Sequence, residues 1–297
     1  MTQGRFRHFI GVDWSGAAGE RHRGIAVAQA DAAGGPPSLV LPDRRWSRAE
    51  LLDYLRADLP PDTLVGLDLG IGLPFVDCGG FFPGLPPADS PRDARSLWQK
   101  VAEVCAGDPH LGAMSFVDDA RFNAYFRRHG QREGSEFRCD NARHGMGRFR
   151  VTELRQAEMG CKPTSNFNLV GASQVGKSSL TGMRVLHELG GHIPVWPVDE
   201  IGSQGSVIVE IYTAIAAMAG GRTAGRSKVK NAAELDEVLA GLGSPGSGMT
   251  GAIDDHSADA LMVAAWLRDR SADPALWAPA DMTNHIARTE GWTFGVA

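Results

Sequence analysis

Two apolar runs that each end in a single aspartate constrain this chain more than any other feature. The first, His8–Asp13, reads HFIGVD and leads into the turn Trp14-Ser15-Gly16. The second, Thr63–Asp68, reads TLVGLD and leads into the glycine-rich LGIGLP. Runs that are apolar at nearly every position fit strands buried on both faces. Such strands deliver their last residues to the carboxyl edge of a sheet, where open α/β sheets place their ligand sites. Side by side, the two runs bring Asp13 and Asp68 within a few Å. Adjacent carboxylates repel unless a cation sits between them, and Mg2+ or Mn2+ accepts such hard oxygen ligands with positions to spare for phosphate.

The segments between the two runs set the topology. Gly24–Ala30 (GIAVAQA) and Ser38–Trp46 (SLVLPDRRW) read as strands, and the short turns between them imply antiparallel hairpins. Ser47 begins a helix. Glu50 stands at capping-box spacing, Leu51, Leu52, Leu55 and Leu59 recur at helical spacing, and Pro60-Pro61 ends it. Three meandering strands, a helix and a strand parallel to the first form the opening of an RNase H-like fold. The expectation is α/β, a mixed five-stranded sheet with flanking helices.

The 297 residues suit one domain, with an elaborating insertion over about 75–165. The chain is 43% hydrophobic with a net charge of −5, so no global positive field attracts nucleic acid or a membrane surface. Cys78, Cys105, Cys139 and Cys161 form no C-x-x-C pair, which predicts reduced thiols rather than a disulfide framework or zinc site. The N-terminal MTQGRFRHF has no apolar signal core and no run approaches about 18 apolar residues, so a cytoplasmic protein without a membrane span is expected.

Within the insertion, Arg121 to Arg155 holds nine arginines against four acids, interleaved with Phe122, Tyr125, Phe126, Phe137 and Phe149. Arginine suits bidentate phosphate contact and aromatic rings can stack bases, so segment 121–155 is a candidate nucleic-acid contact, with Arg150 a candidate phosphate ligand. The alternative is an insertion with a solvated basic face.

GASQVGKS, Gly171–Ser178, matches the phosphate-binding P-loop pattern through Gly171, Gly176, Lys177 and Ser178. NFNLV before it can form a short strand and Ser178–Leu189 reads as a helix. Against an NTPase, the motif follows four strands rather than the first. The one nearby apolar run that ends in an acid, IPVWPVDE, carries two prolines unsuited to a central strand. A helix start here can still bind a substrate phosphate through its N–H groups.

Glu210 lies inside the strand Val207–Tyr212 (VIVEIY). A lone buried carboxylate is costly, so Glu210 requires a partner, either a site cation or an arginine. Residues 222–230, RTAGRSKVK, are basic. In IDDHSADALMVAAWLRD, Asp255, Asp259, Met262 and Trp266 share one helix face, which puts two carboxylates on the inward stripe. Capping is the structural alternative for the acids at this helix start. His256, three residues before Asp259, can flank the site, but is read first as a satisfied or exposed histidine.

HFIGVDWSGA, LVGLDLGIGLP, VIVEIYTA, DDHSADALMVA and EGWTFGV, in that order, together with RVTE in the insertion, resemble a family of predicted RNase H-like nucleases of unknown function. The resemblance implies a metal-dependent phosphodiesterase or nuclease. Its acidic site would comprise Asp13, Asp68, Asp255 and Asp259 as Mg2+ or Mn2+ ligands, with Glu210 a fifth catalytic candidate. The rivals are an ATP enzyme, either a P-loop NTPase or an actin/sugar-kinase relative with phosphate held at the DWSG turn that includes Ser15 and at the DLGIG turn, and a non-catalytic member of the fold.

Overall fold

A computed structural model describes residues 4–130, 132–138, 146–171, 174–223, 225 and 228–297. Its strands are β1 (His8–Asp13), β2 (Ala26–Asp31), β3 (Ser38–Leu39), β4 (Thr63–Leu67), β5 (Arg127–Arg128), β6 (Arg132–Glu133), β7 (Val195–Trp196) and β8 (Val207–Glu210). The helices are α1 (Arg48–Asp53), α2 (Ala94–Val104), α3 (Met114–Asp118), α4 (Val151–Glu158), α5 (Val175–Leu189), α6 (Thr213–Ala219), α7 (Ala232–Gly241), α8 (Asp255–Arg270), α9 (Pro274–Trp277) and α10 (Asn284–Thr289).

The main sheet is mixed and six-stranded, in the order β3-β2-β1-β4-β8-β7. β2 runs antiparallel to β1 and β3 to β2, whereas β4, β8 and β7 continue parallel to β1. The sixth strand corrects the five-stranded expectation. Val195 and Trp196 pair on one side alone, and an edge strand tolerates the flanking Pro194 and Pro197 that would break a central one. The expected strand Ser38–Trp46 shrinks to Ser38–Leu39, because Leu41 takes a left-handed φ of 53° ahead of Pro42 and turns the chain away.

The central strands are buried on both faces, as their unbroken apolar character requires. Ile10, Val12, Val65, Leu67 and Ile208 pack under α1, α2 and α5. Phe9, Leu64, Val207 and Val209 pack under α6, α7 and α8. Gly11 and Gly66 are register partners on β1 and β4. A Cβ on Gly11 would lie 2.3 Å from the Ala260 carbonyl oxygen, and one on Gly66 would lie 3.0 Å from Leu267. This glycine pair lets α8 settle against the sheet, and its first turns reach the ends of β1 and β4.

The insertion is organised differently from its expected role. Phe122, Tyr125, Phe126 and Phe137 are buried. Phe116 and Phe122 stack at 4.2 Å, and Phe82, Tyr125, Phe126 and Phe167 surround them. These rings form the insertion's core and cannot stack on bases. Arg121 pairs with Asp89 and Asp119, Arg128 with Asp118, Arg138 with Glu133, and Arg155 with Glu158 and Asp281. Arg148 is buried against Asp77. The segment's positive charge is largely matched within the fold, which weakens the case for it as a nucleic-acid contact. Cys105 and Cys161 are free thiols, but Cys78 is disulfide-bonded, contrary to the expectation of four reduced cysteines. No helix among the described residues is long and apolar enough to cross a membrane.

Candidate functional site

Because β1 and β4 are parallel neighbours with Val12 opposite Leu67, Asp13 and Asp68 leave the sheet at the same edge. The Asp68 N–H donates to the Val12 carbonyl at 3.0 Å. α8, lying over Gly11, carries buried Asp259 to this edge. The three carboxylates feel one another. Burial, then the charges of Asp13 and Asp259, push the Asp68 carboxyl well above the usual carboxylate range, against a hydrogen bond from Thr213. Burial, with help from Asp13 and Asp255, raises Asp259 to about 6 despite the opposing charge of Lys228.

Each carboxylate has its own protein partner. His256 Nδ1 lies 2.5 Å from Asp13 Oδ2, and this contact raises the imidazole pKa. Thr213 Oγ1 donates to Asp68 Oδ2 at 2.9 Å. Lys228 Nζ donates to Asp259 Oδ2 at 3.1 Å and lies 3.5 Å from Asp255 Oδ2. Asp255 is exposed rather than on a buried stripe, since α8 begins there and Asp254 caps it by accepting from the Ser257 N–H at 3.0 Å. Asp255 and Asp259 still share a face, the one that meets Lys228.

Glu210 does not join the cluster as a free ligand. Arg150 Nη2 and Thr293 Oγ1 each donate to its Oε1 at 2.5 Å, and Arg150 Nη1 and the Ile71 N–H each donate to Oε2 at 2.8 Å. Of the two partners the sequence allowed, the arginine is present. Arg150 itself is buried and also pairs with Glu153 at 2.6 Å. Its guanidinium is therefore committed to two internal carboxylates, and the expected phosphate contact by Arg150 is corrected accordingly.

The GASQVGKS segment contributes a wall rather than an independent site. No main-sheet strand leads directly into α5 among the described residues; Asn168 makes an isolated bridge to Arg127 instead of the short strand expected at NFNLV. A P-loop needs a sheet strand to feed its loop, so that context is missing. Ala172 and Ser173 lie outside the described residues. Gly171 adopts a φ of 86°, and Gly176 is buried with its N–H on the Asn168 carbonyl at 3.0 Å. Lys177 and Ser178 occupy the first turn of α5 and abut the turn after β1. A Cβ on Gly16 would fall 2.4 Å from the Lys177 carbonyl carbon and the Ser178 nitrogen, so this close approach requires glycine. Trp14 Nε1 donates to Thr181 Oγ1 at 3.1 Å, and Arg48 holds the Ser15 carbonyl at 3.1 Å from Nη2, fixing the same turn from behind.

A cavity of about 610 Å³ runs between these elements. Asp68, Asp259 and Lys228 line it together with Ser15, Lys177 and Ser178. Among the described residues, no three His, Cys, Asp or Glu side chains converge closely enough to hold a metal ion as they stand. The donors of the carboxylate corner nevertheless suit a hard divalent cation in kind, and the Lys228 ammonium stands among them as a cation. Lys228 is the site member that sequence reasoning passed over, and His256 the one it ranked second to a satisfied or exposed histidine. The basic run 222–230 was visible, but its meeting with α8 depends on a chain path that no local pattern encodes. No family model matches the chain, and no curated protein and no solved structure proved similar to it.

Proposed function

We propose that this chain is a divalent-metal-dependent phosphodiesterase of the RNase H-like type, with nucleic acid as the substrate class. The observation that carries the reading is the charge deficit at the sheet edge where Asp13, Asp68 and Asp259 meet: burial and mutual repulsion push Asp68 and Asp259 upward, opposed by the Thr213 hydroxyl on Asp68 and by the Lys228 ammonium. The sheet order, with antiparallel β3-β2-β1 followed by parallel β4 and β8, supports the same reading. Asp13, Asp68 and Asp259 would hold Mg2+ or Mn2+, with exposed Asp255 beside them across Lys228. Bound metal lowers the pKa of an attacking water and stabilises a leaving oxygen. Lys177 and Ser178, in the first turn of α5, line the cavity where a phosphate would be met. His256 orients Asp13. Glu210 and Arg150 brace the floor.

A second reading, a non-catalytic binding member of the fold, is favoured by the separate protein partner that each carboxylate has. One experiment separates the two. Purified protein is titrated with Mn2+ by calorimetry and assayed on single-stranded and duplex DNA and RNA. The catalytic reading expects metal-dependent cleavage that Asp13→Asn and Asp68→Asn reduce by more than the roughly 10–100-fold typical of losing an outer-shell partner. Mn2+ binding without cleavage of any of these substrates supports the second reading; no Mn2+ binding sinks the first.

A further inference from the structure

Lys228 presents its ammonium to the carboxylate corner from outside α8. Nζ lies 3.1 Å from Asp259 Oδ2 and 3.5 Å from Asp255 Oδ2, and its charge is felt at Asp13 and Asp68. We infer that Lys228 is an internal counter-ion occupying the place of a divalent cation, so that metal binds this corner by displacing the lysine side chain. The inference rests on the metal reading above and adds to it the residue with which the metal competes.

Three features favour displacement by side-chain motion alone. The backbone at Lys228 is anchored, because neighbouring Val229 is buried, the Lys228 carbonyl accepts from Arg222 Nη2 at 2.7 Å, and Asn231 bridges to Ala252. The Lys228 side chain is 58% exposed, so its ammonium can return to water without crossing the core. Lysine also bonds as a point charge on a flexible stem, whereas the planar fork of arginine locks onto carboxylates. The contrast with Arg150, whose side chain is 2% exposed between Glu153 and Glu210, is direct. One counter-ion is built in, and the other can leave.

The test is Mn2+ binding by calorimetry, backed by thermal shift, on the full-length wild type, Lys228→Met and Lys228→Arg. Circular dichroism first establishes that each is folded, with Lys228→Gln replacing any variant that is not. Removing a unit charge this close to the site is expected to tighten Mn2+ binding by about tenfold or more in Lys228→Met. Lys228→Arg is expected to bind more weakly than wild type, because a guanidinium can bridge Asp255 and Asp259. Equal or weaker binding by Lys228→Met, with wild type binding normally, overturns the inference and leaves the metal reading standing. No Mn2+ binding by wild type or by Lys228→Met overturns both.

Discussion

Asp68 and Glu210 stand at the ends of neighbouring parallel strands, β4 and β8, with Glu210 opposite Leu67 in the register. Their surroundings are opposite. Glu210 is buried and accepts four hydrogen bonds, two of them from one guanidinium. Asp68 faces the cavity and takes a hydroxyl from Thr213, with Asp13 and Asp259 as like-charged neighbours. A carboxylate whose charge and lone pairs are all met inside the fold is part of the scaffold. One whose nearest charges repel it is poised to receive a cation from elsewhere.

The largest expected effect tests the closed side of this contrast. Arg150→Met leaves Glu153 and Glu210 buried without their counter-charge and should lower stability by about 3–5 kcal/mol in urea denaturation. A loss below about 1 kcal/mol would mean that Glu210 is not held as the geometry implies.

The open side predicts a pH dependence. Asp259 is raised from 3.8 to about 6, so between those values the folded protein keeps a proton that the unfolded chain has released. Asp259 should therefore contribute a loss of roughly 2–3 kcal/mol to the stability of the metal-free protein as pH rises from about 4 to about 6. Denaturation midpoints measured across this range should lose most of their slope in Asp259→Asn. Equal slopes in wild type and Asp259→Asn over this interval would contradict the charge deficit.

The smallest effects come from the two threonines. Thr293→Val removes a donor from buried Glu210 and should cost about 2 kcal/mol by the same measurement. Thr213→Val removes a donor from cavity-facing Asp68, where water can take its place, and should cost less than about 1 kcal/mol. Equal costs would erase the distinction between the two corners.

How much of this was legible in the chain varies by element. The capping box of Ser47 and Glu50, the helical spacing of α8, and the two apolar runs ending in Asp13 and Asp68 all appear where local pattern placed them. The edge strand Val195–Trp196 did not stand out, because two paired residues between prolines carry no periodicity. The rings of the insertion looked like a stacking surface and proved to be a core, since an aromatic residue among arginines has the same local signature in either setting. The P-loop match was the most conspicuous motif and had the least structural context.

Local pattern is enough to bring Asp13 and Asp68 to one sheet edge on two buried strands, and to require a partner for Glu210. Strand burial and helix caps follow from neighbours in the chain, so short patterns suffice to read them. Which cation meets which carboxylate is set by the folded chain path: Arg150 with Glu210, Lys228 with Asp259, His256 with Asp13. Two of these pairs join residues 60 and 243 positions apart. Charge acts through space, so its pairing is settled once the chain has folded and is invisible to any pattern along the chain.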